Sequence, residues 1–222
     1  MGTLGVVTIG QAPRDDIVRD IASGLGRAAA VVQTGALDGL GGDGIAALAP
    51  GPGDEVLVTR LGDGREARVA ERAIVPRLED AVARAEAAGA DATLLVCTGA
   101  FPPLRHARPL LMSGALLTAG VAAVASGLRL AALCPDPSQV ESVRAKWRGA
   151  GVALTGVWSA SPYVDRDNEA ARAARAIEDA DAVVLDCMGY DVATKAVVER
   201  VSGLRALLAR HVAGRLAGLM LD

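Results

Sequence analysis

The chain has 222 residues, a formal charge of −3, 51% hydrophobic residues and only 2% aromatics. A chain of that length buries roughly 70% of its unfolded surface, so a core of Ala, Val and Leu forms without staples. The near-neutral charge excludes the basic footprint of a nucleic-acid-binding protein. Three cysteines, with no basic leader ahead of the first apolar stretch, point to reduced thiols in a cytoplasmic protein.

Residues 3–9 (TLGVVTI) read as an apolar strand, residues 10–14 as a loop, and Asp15 and Asp16 as the acidic first turn of a helix reaching about 23. A short strand at 30–33 and a helical turn at 43–48 follow. Residues 55–61 and 65–69, joined through Gly62-Asp63-Gly64, read as a β-hairpin, because Asp-Gly supplies the positive φ of a tight turn. A helix over 70–88 stops at Gly89, and 93–97 is a strand ending in Cys97. Residues 109–128 carry no charge, long enough to span a bilayer on length alone. Their Pro, Gly and Ser content reads instead as a buried helix at about 110–118 and a buried strand at about 121–125, so no membrane association is expected. The second half continues with strands at 128–134, 152–158 and 182–187 and helices at 139–148, 167–179 and 192–201. A short strand at 204–208 and a closing helix at 211–221 end the chain.

One unit is written twice. Residues 90–101 and 180–191 share six of twelve residues (Ala, Asp, Ala, Leu, Cys, Gly), and each copy ends a strand on a cysteine with glycine two positions later. Apolar strands alternating with helices predict parallel sheets covered on both faces. The expected fold is α/β, with two pseudo-symmetric lobes and a hairpin inserted in the first. The lobes are expected over 1–126 and 127–210, with the 211–222 helix packing back on the first.

In such folds ligands sit beyond the carboxyl ends of the strands, where Cys97 and Cys187 both fall. Two facing thiols suit proton transfer on both faces of one carbon, with the thiolate as the active species. The turn N–H groups around Thr98, Gly99, Met188 and Gly189 can hold a carboxylate or its enolate. Gln11 and Arg14, after the first strand, are candidate carboxylate ligands, Thr8 ends that strand, and Tyr190 is placed to line the cleft. Cys134, without the repeat context, reads as structural, and Asp186 as pointing to the opposite face. His106 and His211 read as surface or packing residues. A pyridoxal enzyme needs a placed lysine, and Lys146 and Lys195 both read as helix-surface residues. No Gly-rich phosphate loop and no ligand-spaced cluster occurs, so neither cofactor nor metal is expected.

The strand–Cys97-Thr98-Gly99 and Leu185-Asp186-Cys187-Met188-Gly189-Tyr190 units resemble those of the AroM family, within the aspartate/glutamate/hydantoin racemase superfamily. Residues 8–14 (TIGQAPR), 35–40 (GALDGL), 46–50 (AALAP) and the hairpin carry the same likeness. The resemblance implies an interlobe cleft with Cys97 and Cys187 as acid and base, in a cofactor-independent racemase or isomerase acting next to a carboxylate or carbonyl. Amino-acid racemases of the group follow the first cysteine with Asn-Thr and the second with Thr-His. Thr98-Gly99 and Met188-Gly189 stand here, and Thr8, Gly10 and Gln11 replace an acidic partner for an amino group. A small carboxylate or cyclic amide therefore fits as substrate. A single-cysteine decarboxylase or cis–trans isomerase, or a non-catalytic small-molecule-binding or regulatory protein linked to aromatic amino-acid metabolism, stays open beside it. So does the assembly state, monomer or homodimer.

Overall fold

The computed structural model describes residues 2–221. The first part of the chain forms β1 (Thr3–Thr8), α1 (Asp15–Gly24), β2 (Ala30–Gly35), α2 (Gly42–Ala46), β3 (Val56–Arg60), β4 (Glu66–Ala70), α3 (Glu71–Ala87), β5 (Ala92–Leu95), β6 (Leu110–Met112) and α4 (Ser113–Val124). The second part forms β7 (Leu130–Cys134), α5 (Val140–Gly149), β8 (Leu154–Ser159), α6 (Arg166–Arg175), β9 (Ala182–Leu185), α7 (Val192–Ser202), β10 (Arg205–Leu208) and α8 (Ala209–Ala217).

The two four-stranded parallel sheets have the same plan. The first runs β2-β1-β5-β6 and the second β8-β7-β9-β10. Leu4 to Val7 pair with Ala92 to Leu95, as Leu130 to Leu133 pair with Ala182 to Leu185. The duplicated aspartate gains a reason from this register. The Asp91 carboxylate accepts from Thr3 N and that of Asp181 from Arg129 N, both at 2.8 Å, so each starts the neighbouring central strand. The hairpin β3–β4 is antiparallel, as expected from the Asp-Gly turn.

Residues 109–128 depart from the reading above. Strand comes first, at Leu110–Met112 on the edge of the first sheet beside β5, and helix α4 second. The segment is apolar on every face, so neither a 3.6- nor a 2-residue period marks its state. Pairing with the open edge of β5 decided the order. No helix among the described residues is long and apolar enough to cross a membrane.

Burial explains how the lobes meet. Ile17 and Ile21 of α1, Leu117 and Val121 of α4, Trp147 of α5 and Ala213 of α8 join residues of both sheets in one central core. Those four helices therefore lie between the sheets, while α3 packs outside the first sheet and α6 and α7 outside the second. Helix α8 packs on α1 and α4. The carboxyl ends of β5 and β9 consequently face a shared interlobe space, which the hairpin crosses. Gln139 Nε2 donates to Val56 O at 2.6 Å, Arg68 pairs with Asp136 at 3.0 Å, and Ser161 Oγ donates to Glu66 at 2.8 Å.

Candidate active site

A cavity of about 500 Å³ occupies that interlobe space. Its walls take Leu57 and Val58 from the hairpin, Phe101 and Pro102 from the first lobe and Val143 from α5, with polar groups gathered at the strand ends. Cys97 and Cys187 both line it, as do Thr8, Arg14, Thr98, Gly99, Met188 and Gly189.

The two cysteine turns have one geometry. Gly99 N–H points to Cys97 Sγ at 3.4 Å and Gly189 N–H to Cys187 Sγ at 3.3 Å. Burial pushes the Cys97 thiol up to about 12; the Gly99 N–H opposes this, the neighbouring Cys187 adds to it, and Lys146 and Asp186 act in opposite senses. Burial also raises Cys187, to about 11; the Gly189 N–H opposes this, the Asp186 charge adds to it, and the positive charges of Arg210 and Arg14 oppose it. Desolvation thus holds both thiols well above their ordinary value.

Arg14 lies beside Cys187. Its guanidinium is 5% exposed, held by both Asp16 oxygens at 2.9 Å, with its carbon 5.9 Å from the centre of the Tyr163 ring. Burial, the largest single influence, works to raise the Asp16 carboxyl, but the bond to Arg14 and the charges of Arg14, Arg210 and Arg60 together outweigh it and hold the group at about 2. Burial drives the Tyr163 phenol well above its ordinary value, and the nearby Cys187 thiol adds to this.

Some expected residues serve elsewhere. Gln11 donates to Leu37 O and Leu40 O and accepts from Gly62 N at 2.8 Å, pinning a loop to the hairpin tip outside the cysteine-lined cavity. Tyr190 is fully buried off the cavity wall, its hydroxyl donating to Ala160 O at 2.6 Å. Cys134 is buried at the end of β7, where Thr8 stands in β1. His106 is exposed and bonded to Arg108 O, and neither histidine lines the cavity.

The structure corrects the placement of Lys146. Its side chain is 16% exposed, lines the cavity, and donates to Asp186 Oδ1 at 2.7 Å and to Thr98 O at 2.9 Å. Asp186 is buried beneath it, its second oxygen taking the Trp147 indole N–H at 2.7 Å. The helical wheel of α5 carries Lys146 on a half-polar edge, and only the second lobe packed against the first turns that edge inward. Tyr163 lies in an irregular loop and lines the cavity, and it and Pro162 leave no room for a side chain on Gly189. No group of three or more His, Cys, Asp or Glu among the described residues could hold a metal ion.

Two similar lobes, each a parallel sheet covered by helices, make up a fold shared with a group of solved racemases and decarboxylases. Allantoin racemase from Pseudomonas fluorescens superposes with TM-score 0.64 at 13% identity, over 98% of this chain and 90% of that one. A liganded mutant of arylmalonate decarboxylase gives 0.61 at 18% identity, over 100% and 92%. Glutamate racemase from Aquifex pyrophilus gives 0.61 at 10% identity, over 99% and 84%. The chain belongs to the AroM protein family, whose model matches residues 4–221. Comparison with curated proteins yields no match.

Proposed function

We propose that this protein is a cofactor-independent racemase or isomerase. It moves a proton at a carbon next to a carboxylate or carbonyl, with Cys187 and Cys97 on opposite faces. One observation carries this reading: both strand-end thiols open on the same cavity, each with a glycine N–H on its sulfur. The Cys187 thiolate takes the α-proton and becomes a thiol, leaving an enolate. The Cys97 thiol delivers its proton to the other face and becomes the thiolate, and the reverse passage restores the first state. Arg14 and the turn N–H groups supply positive potential where the enolate oxygen charge develops. The apolar wall of Leu57, Val58 and Phe101 suits a substrate with a hydrophobic or cyclic-amide body attached to the acidic carbon. Arg14 at its edge suits a small carboxylate.

The test is deuterium incorporation and loss of optical activity in heavy water, over amino acids, hydantoins and small dicarboxylates. Exchange at the α-carbon, lost when both thiols are replaced, supports the reading. No exchange on any of them, or exchange unchanged in Cys97→Ser and Cys187→Ser, overturns it. Loss of turnover in only one of the two variants assigns a one-thiol decarboxylase or isomerase instead. A ligand that raises the melting temperature by mass action without turnover assigns a binding protein.

A further inference from the structure

The peptide joining Thr98 to Gly99 is held at both ends. Its N–H lies 3.4 Å from Cys97 Sγ, and its carbonyl accepts from Lys146 Nζ at 2.9 Å. The peptide joining Met188 to Gly189 is held in the same way. Its N–H lies 3.3 Å from Cys187 Sγ, and its carbonyl accepts from Arg210 Nε at 2.7 Å. In a trans peptide the C=O and N–H point in opposite directions. A cation fixed on the oxygen therefore sets where the N–H aims, and polarisation along the chain strengthens that N–H as a donor.

Both clamps bridge the two lobes. Lys146, on second-lobe helix α5, reaches a turn of the first lobe. Arg210 serves the second-lobe turn and is anchored in the first, where Asp20 Oδ2 lies 2.8 Å and Asp16 Oδ2 3.2 Å from its guanidinium. It also donates to Gly189 O at 3.0 Å. Each cation is neutralised by carboxylates, Asp186 for Lys146 and the α1 pair for Arg210, so each acts through hydrogen-bond direction more than through net charge. Burying such pairs costs more than packing apolar side chains in their place. A turn carbonyl at the rim of a cavity this size can be satisfied by water. Satisfying two carbonyls does not account for two buried cations; aiming two N–H groups does.

We propose that Lys146 and Arg210 are matched positioning residues, each setting the acidity of one thiol through the peptide whose carbonyl it holds. Lys146 serves Cys97 and Arg210 serves Cys187. The inference rests on the reading of both thiols as proton carriers.

The experiment follows iodoacetamide alkylation of Cys97 and Cys187 against pH, peptide by peptide, so each thiol is the internal control for the other. Arg210→Lys keeps the cation between Asp16 and Asp20 and removes the Nε donor. Lys146→Met combined with Asp186→Asn removes both charges of a 2.7 Å pair at once and leaves Trp147 an acceptor. Arg210→Lys is expected to slow Cys187 at mildly alkaline pH by on the order of tenfold, one pKa unit, and to spare Cys97. The double variant is expected to slow Cys97 and not to slow Cys187, because Cys187 loses the Asp186 charge that raises it. Equal slowing of both thiols in either variant, or unmoved profiles, overturns the clamp and leaves the two-thiol reading standing. Thiols inert in the unchanged protein overturn both. Should the double variant fail to fold, Arg210→Lys alone still decides, because its expected effect is confined to one thiol.

Discussion

The two lobes share a plan and differ in what surrounds the thiol. In the first, Cys97 follows Val96, its own strand adds no charge, and the nearby cation, Lys146, comes from the other lobe. In the second, Cys187 follows the buried Asp186 and is flanked by Arg14, Arg210 and the Tyr163 ring. The backbone frame repeats down to the glycine N–H on each sulfur, while the charges do not. The difference teaches that duplication supplied the geometry of two strand-end thiols, and that unrelated side chains then made their environments unequal. Burial raises both thiols and Asp186 adds to this at each, while Lys146 opposes it at Cys97 and Arg210 and Arg14 oppose it at Cys187.

The sharpest way to break the comparison is stereochemical. With one thiol on each face, Cys97→Ser and Cys187→Ser should each cut inversion by on the order of a hundredfold or more. Each should keep deuterium exchange with only one enantiomer, and the two should keep opposite ones. Chiral chromatography with mass detection reads this directly; residual exchange with the same enantiomer in both variants would place the thiols on one face. Next comes pH. A thiol raised to about 11 is present as thiolate in on the order of one molecule in 10⁴ at pH 7. The base form grows as pH rises, so kcat/KM should climb about tenfold per pH unit across neutral and mildly alkaline pH. A profile flat from pH 7 to 9 would mean that ligand binding, not the protein alone, sets the ionisation.

A smaller effect separates the two glycines. A Cβ on Gly189 would lie 2.6 Å from Pro162 Cγ and 2.7 Å from Tyr163 Oη, whereas one on Gly99 would meet Leu57 Cδ2 at 2.9 Å. A proline ring cannot step aside, but the end of a leucine can. Gly189→Ala should therefore cost about 1–3 kcal/mol in urea unfolding, and Gly99→Ala less. Equal losses would show that the second turn is no more tightly enclosed than the first.

Much of this was legible in the chain. The paired Cys-x-Gly units, the Asp-Gly hairpin and the helix stop at Gly89 are local signals, and each appears in the structure where its chemistry demands. The order of strand and helix within 109–128 was not legible, because an all-apolar run has no face. The expectation that Lys146 lies on a surface failed for a related reason. A helix records its own polar edge in sequence, but not what will be laid against that edge. Tyr163 and Arg210 carried no signal at all: one sits in an irregular loop, and the other enters the site through backbone carbonyls, which every residue possesses.

By itself, then, the sequence determined the two repeated strands, their terminal thiols and the α/β alternation, because side-chain period and turn chemistry act over a few residues. The tertiary structure decided which charges reach the thiols. Lys146 reaches Thr98 and Arg210 reaches Asp16 and Asp20 only when α5 and α8 are packed between the two sheets, and contacts between such distant residues depend on packing, which no local pattern encodes.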